Sequence, residues 1–234
     1  MQIVPTLLEK SSESFIQRFH KLSPYFKYFQ IDIADGKFVP NRTLSTKDVL
    51  KTMKQPAFAE KATAGKWNNG AMEQYVFDFH LMVENYKNEL PVLRKISKLV
   101  MVKHILIHTS TVPDGPFPPA SFPFSFGLVL DPQDSVDDVS KRFDLNIFPV
   151  IQIMSVSPGF QGAPFLRETI LKVEQLKSKH YRNLILVDGA MRDTTISYVL
   201  SQKFVPDIIC VGSYLTLEKD PKDHVARLKE LIPE

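Results

Sequence analysis

The stretch Tyr28-Phe29-Gln30-Ile31-Asp32-Ile33-Ala34-Asp35-Gly36 decides how the rest of the chain is read. It is an apolar run that ends in carboxylates and opens into a glycine turn. Two further runs share this form. Leu184-Ile185-Leu186-Val187 leads into Asp188-Gly189, and Phe77-Asp78-Phe79 leads into His80-Leu81-Met82. Carboxylates and an imidazole at the ends of separate hydrophobic strands point to a site assembled from distant segments. Parallel α/β folds build sites in this way, because their strand C-termini converge on one face.

Strands are expected at residues 2–5, 28–34, 76–82, 104–108, 125–130, 150–154, 183–187 and 208–211. Most are continuous apolar runs rather than alternating ones, as in strands buried on both faces. Amphipathic helical segments lie between several of them, at 12–21, 88–100, 135–143, 165–179, 194–202 and 221–231. The first carries Phe15, Ile16 and Phe19 on one side. Ser135, with Asp138 three residues on, resembles an N-terminal capping signal. Eight strands alternating with helices predict a (β/α)8 TIM barrel, a single domain over 1–234. A doubly wound open sheet is the rival, and periodicity does not exclude it.

Two stretches break the rhythm. Residues 57–71 read as a polar insertion, with Trp67 as either a local anchor or a partner contact. Residues 110–124 hold Pro113, Pro116, Pro118, Pro119 and Pro123, which remove donors and block a helix interior. This proline-rich segment is expected to replace the fourth helix. Strand surface beneath it needs cover from Phe117, Phe122 and Phe124, or from a second subunit.

The 234 residues, 44% hydrophobic and 24% charged, suit a soluble enzyme-sized domain. The net charge of +3 comes from scattered lysines and arginines, which argues against a nucleic-acid partner. No apolar stretch is long enough to span a bilayer, and no secretory signal is visible at the N-terminus. The expected location is cytoplasmic. Cys210 has no second cysteine to pair with and reads as a buried small hydrophobe.

The segments Asp32-Ile33-Ala34-Asp35-Gly36-Lys37-Phe38-Val39-Pro40-Asn41 and Met154-Ser155-Val156-Ser157-Pro158-Gly159-Phe160 resemble those of the ribulose-phosphate 3-epimerase family. So do His80-Leu81-Met82, Val187-Asp188-Gly189 and Gly212-Ser213. The five motifs stand in family order and cover the chain from Pro5 to Ser213. The resemblance implies the (β/α)8 barrel and an isomerase of the pentose phosphate pathway, interconverting D-ribulose 5-phosphate and D-xylulose 5-phosphate. It implies Asp32 and Asp188 as the catalytic acid and base, and one divalent metal ion held by Asp32, His80 and Asp188, with Gln30 as a fourth ligand. It further implies substrate contacts at Thr6, Met82, Met154, Ser155, Gly159 and Gly162, and phosphate contacts at Gly189, Ala190, Gly212 and Ser213. The chemistry is coherent on its own terms. An epimerisation removes a proton from one face of a carbon and returns it to the other, so it needs two flanking acid–base groups. A cation near the developing oxyanion adds stabilisation.

The chain departs from the family pattern at several positions. Gln30 stands where the resemblance implies a metal-binding histidine; its amide oxygen suits a hard cation better than zinc or iron, so the ion is left as zinc, iron, manganese or magnesium. Thr6 replaces a serine, Ala34 a methionine, and Gln161 and Ala190 replace glycines. A site without the full ligand set is compatible with a catalytically silent barrel binding a phosphorylated ligand or protein partner. An epimerase of another phosphorylated ketose is a third reading, and a homo-oligomer is allowed by all three. The plain alternatives are a turn or cap role for each aspartate and a satisfied core histidine for His80. His108 also ends a strand, and for it a structural role weighs as much as a place in the site.

Overall fold

The computed structural model describes residues 1–60, 74–112, 121–159 and 162–232. Eight parallel strands close into a barrel in sequential order: β1 (Gln2–Leu7), β2 (Tyr28–Ala34), β3 (Val76–Met82), β4 (Met101–His108), β5 (Ser125–Leu130), β6 (Val150–Met154), β7 (Leu184–Asp188) and β8 (Ile208–Val211). The pairing of Val4 with Cys210 belongs to the β1–β8 seam that completes the closure. The open-sheet alternative is thereby excluded. All eight expected strands are present, because each is an apolar run flanked on both sides by cover.

Around the barrel lie α1 (Ser12–Leu22), α2 (Thr46–Met53), α3 (Pro56–Glu60), α4 (Leu90–Ile96), α5 (Val136–Arg142), α6 (Leu171–Ser178), α7 (Asp193–Leu200), α8 (Ser213–Thr216) and α9 (Lys222–Leu231). Local chemistry starts several of them. Ser11 accepts from Ser14 N at the head of α1, and Ser135 accepts from Asp138 N at the head of α5. Ser45 and Asp48 form a reciprocal capping box at the head of α2. None of the helices among the described residues is long and apolar enough to cross a membrane.

Among the described residues the buried apolar side chains form two large clusters and a small third one of Ala34, Val39 and Met82. The larger packs helices on the outer strand faces, with Phe15, Phe19, Phe29, Phe58 and Phe77 at its centre. Phe58 corrects the reading of 57–71 as polar from its start: it is fully buried on α3, 4.7 Å from the Phe19 ring. Residues 61–71, with Trp67, lie outside the described residues. The second large cluster fills the barrel with Val4, Leu106, Val129, Val150, Leu186 and Ile208. Between β4 and β5, Thr109–Thr111 forms a single 3-10 turn. Phe122 stacks on Phe124 at 5.2 Å and Phe124 meets Phe126 edge-on at 5.7 Å, over this side of the sheet. Residues 113–120, with Phe117 and most of the prolines, lie outside the described residues.

The inward positions are not all apolar. Alternate residues of a barrel strand point inside, and here they carry polar groups in two layers. Toward the strand N-termini, the Tyr28 hydroxyl donates to Asp78 at 2.5 Å, and Asp78 accepts the His104 backbone N–H at 2.9 Å. Toward the C-termini, Gln30, Asp32, His80, His108, Gln152 and Asp188 form the second layer.

Candidate active site

Register brings the second layer together. Asp32 pairs with His80 across β2 and β3, and Met154 pairs with Asp188 across β6 and β7. Gln30 lies two residues below Asp32 and so on the same inward face. Its Nε2 donates to Asp32 Oδ1 at 3.0 Å and to Asp188 Oδ2 at 2.7 Å. Gln152 Nε2 adds a longer bond to Asp188 at 3.3 Å. His80 Nδ1 stands 3.2 Å from Asp32 Oδ1 and 3.7 Å from Asp188 Oδ2. The three strand-end residues read from the sequence therefore converge on one point.

Electrostatics follows from this crowding. Burial, then the charge of Asp32, pushes the Asp188 carboxyl up to about 7. Burial alone lowers His80, but the hydrogen bond and charge of Asp32, with the charge of Asp188, outweigh it and raise the imidazole above its ordinary value. His108 moves the other way, since its burial outweighs the pull of Asp131.

Asp32, His80 and Asp188 each offer a ligand atom, all within 4.8 Å of one another. Two carboxylates and an imidazole, all buried, are a donor set for a divalent cation. Gln30 belongs to the set in a different sense from the one expected. It presents its amide nitrogen to both carboxylates, and its Oε1 is turned to Cys210 Sγ at 3.4 Å.

Above this floor opens a cleft of about 530 Å³, counting its mouth. Thr6, Met82, Met154, Gly159 and Gly162 line it, with Asp32, His80 and Asp188 at its base and Gly189, Ala190, Gly212 and Ser213 on the side of the last two strands. Ser155 does not line the cleft, which corrects the expectation for it. It is fully buried, and its hydroxyl donates to the carbonyls of Asp188 at 3.0 Å and Gly189 at 2.7 Å. It fixes the end of β7 instead. Gly189 has a φ of +121°, and a Cβ there would lie 2.6 Å from a Val156 methyl, so only glycine fits. Ala190 holds a left-handed φ of +50° despite its side chain. Asp35 does not enter the site. Its carboxylate accepts from the backbone N–H groups of Lys37, Phe38 and Glu84 and shapes the turn.

Two members of the site were not read from the sequence. Asp131 follows β5, as Asp188 ends β7, and accepts from His108 Nδ1. The strand-end pattern that marks Asp32 marks it equally. Gln152 interrupts the apolar run of β6 at an inward position, and a polar residue inside such a run was the available sign.

The chain is similar to known proteins over nearly its whole length. The model of the ribulose-phosphate 3 epimerase family matches residues 2–216. A ribulose-phosphate 3-epimerase of Helicobacter pylori strain J99 is 27% identical, over 95% of this chain and 94% of that protein. The cytoplasmic isoform from Oryza sativa is 25% identical, over 88% of this chain and 82% of its own. Among solved structures, 3-hexulose-6-phosphate synthase from Salmonella typhimurium shares the fold with a TM-score of 0.61 at 11% identity, covering 99% of this chain and 98% of that one.

Proposed function

This chain belongs to the ribulose-phosphate 3-epimerase family, and we propose that it interconverts D-ribulose 5-phosphate and D-xylulose 5-phosphate. Membership and the names of its relatives support an enzyme of the isomerase class. The observation that carries the finer reading is the pair Asp32 and Asp188, bridged by one amide nitrogen at the base of a cleft. One carboxylate takes the proton from carbon 3 on one face, leaving a planar enediolate. The other returns a proton to the opposite face. For the reverse reaction the roles exchange. Such a pair works best when one member holds a proton and the other does not.

Asp32, His80 and Asp188 would hold one divalent ion, with zinc, iron, manganese and magnesium the ions to test. Bound there, it supplies positive charge beside the oxygen on which negative charge develops. Thr6 offers a hydroxyl to the sugar, and Met82 and Met154 exclude water with flexible apolar surface. Backbone N–H groups of Gly189, Ala190, Gly212 and Ser213 suit a phosphate.

The test is substrate turnover, together with exchange of the carbon 3 hydrogen in deuterated water, with each of the four metals supplied in turn. Turnover with at least one metal is expected. Protein that binds the sugar phosphate but exchanges no hydrogen with any metal is a silent barrel.

A further inference from the structure

The proposed chemistry leaves two buried groups without a task. His108 ends β4 with no exposed surface, and Asp131, just beyond β5, is 2% exposed. Their hydrogen bonds fix the position of a proton. Both carboxylate oxygens of Asp131 lie 3.0 Å from His108 Nδ1. A carboxylate only accepts, so Nδ1–H donates to it, and a neutral His108 keeps its lone pair on Nε2. That Nε2 is 2.9 Å from Nε2 of His80. Between the two nitrogens one hydrogen fits, and His108 has none to give there. His80 therefore carries a hydrogen on Nε2; its Nδ1, 3.2 Å from an Asp32 oxygen, donates a second hydrogen to that carboxylate in the metal-free protein and would give it up to bind an ion.

We propose that His108 and Asp131 are positioning residues that hold His80 in its Nε2–H form and so set Nδ1 as its ligating atom. The inference rests on the reading of Asp32, His80 and Asp188 as a metal site. A ligating imidazole binds through one nitrogen and is oriented by what its other nitrogen donates to. Here that partner is a second imidazole, itself oriented by a carboxylate.

The pair is in turn held firmly. Lys172 Nζ donates to the backbone carbonyls of Asp131 at 2.5 Å and Pro132 at 2.9 Å. Asp134 accepts from the Asp131 N–H at 2.8 Å and from the Thr109 hydroxyl at 2.6 Å, tying the residue after His108 to the end of β5. The Phe38 ring covers His108 at 4.6 Å between centroids. Filling space inside a barrel calls for none of this directional bonding.

The experiment uses the whole protein with zinc, a diamagnetic probe. Nitrogen-15 spectra of the histidine rings are recorded with chelator and with zinc. In both states His108 is expected to carry hydrogen on Nδ1 and none on Nε2. On adding zinc, His80 Nδ1 is expected to shift as a metal-bound nitrogen while its Nε2 keeps its hydrogen. Zinc affinity, measured by competition with a chelating dye, should fall 10–100-fold in His108→Leu, the range seen when the outer partner of a ligand is removed. His108→Gln, whose amide oxygen again accepts from His80, should recover part of the loss. Melting temperatures identify a variant that does not fold, and the wild-type spectra decide the question without it. Zinc bound through His80 Nε2, hydrogen on Nε2 of His108, or wild-type affinity in a folded His108→Leu overturns the proposal. Wild-type protein that takes no zinc, with His80 unshifted, overturns the metal-site reading itself and this role with it.

Discussion

Asn41 donates a 2.6 Å hydrogen bond to the backbone carbonyl of Gly159, joining positions 118 residues apart. The bond ties the loop after β2 to the loop after β6 at the entrance of the cleft. The two loops are also in close contact. Gly159 has a φ of +110°, and a Cβ there would lie 2.7 Å from Val39 Cβ.

Removing this tie should loosen the loop after β6 without touching Asp32 or Asp188. Asn41→Ala leaves a buried carbonyl unpaired, which costs about 1–3 kcal/mol. The expected result is a lower melting temperature, with KM for the sugar phosphate raised more than kcat is lowered. A fall in kcat alone, at unchanged KM, counts against a tie that acts on binding.

Asp188→Asn should separate function from stability. In metal-free protein the folded state prefers the protonated Asp188, whose pKa is raised to about 7 by burial and then by the charge of Asp32. That contribution is whole below the ordinary carboxylate value near 4 and is lost as pH rises through about 7. Asparagine keeps the shape and deletes the titration. Turnover should vanish, while the chelated variant should gain more melting temperature over wild type at pH 8 than at pH 5. An equal change at both values refutes the raised carboxyl.

The strands and the convergent trio Asp32, His80 and Asp188 were legible because both rest on local features. A strand covered on both sides must be apolar along its length, and a polar residue ending it has few reasons to be there. The helix α2 was missed, although Ser45 and Asp48 carry a stronger form of the signal read at Ser135 and Asp138. Its eight residues are short for a periodicity argument. Asp131 and Gln152 each carried a sign, a strand-end carboxylate and an amide in an apolar run, but neither sign names the partner the side chain meets. Ser155 was misassigned because its motif gave its neighbourhood but not the direction of its hydroxyl. The partners of a buried polar group are set by register across strands far apart in sequence.

Gln30→His should change the metal preference. The glutamine now spends its amide N–H bonds on the two carboxylates. An imidazole in its place suits zinc, whereas magnesium favours oxygen donors. The ratio of zinc to magnesium affinity, measured by dye competition, is expected to rise. An unchanged ratio means that position 30 does not reach the ion.

Ala190→Gly should stabilise the protein. A left-handed φ of +50° costs an alanine about 1–2 kcal/mol, partly offset by the greater freedom of glycine in the unfolded chain. A net gain of about 1 kcal/mol or less is expected in urea unfolding. A loss of similar size would show that the Ala190 methyl group packs usefully beside the barrel core.

The chain has one thiol, and its position gives it a use. Cys210 is fully buried on β8, beside Val4 of β1 and Asp188 of β7, and burial pushes its pKa well up. A thiol-specific dye cannot reach it while β8 stays seated, and the native barrel has no second sulfhydryl to confuse the reading. Cys210 is thus a built-in clock. The rate at which the dye consumes it is set by how often the first and last strands part.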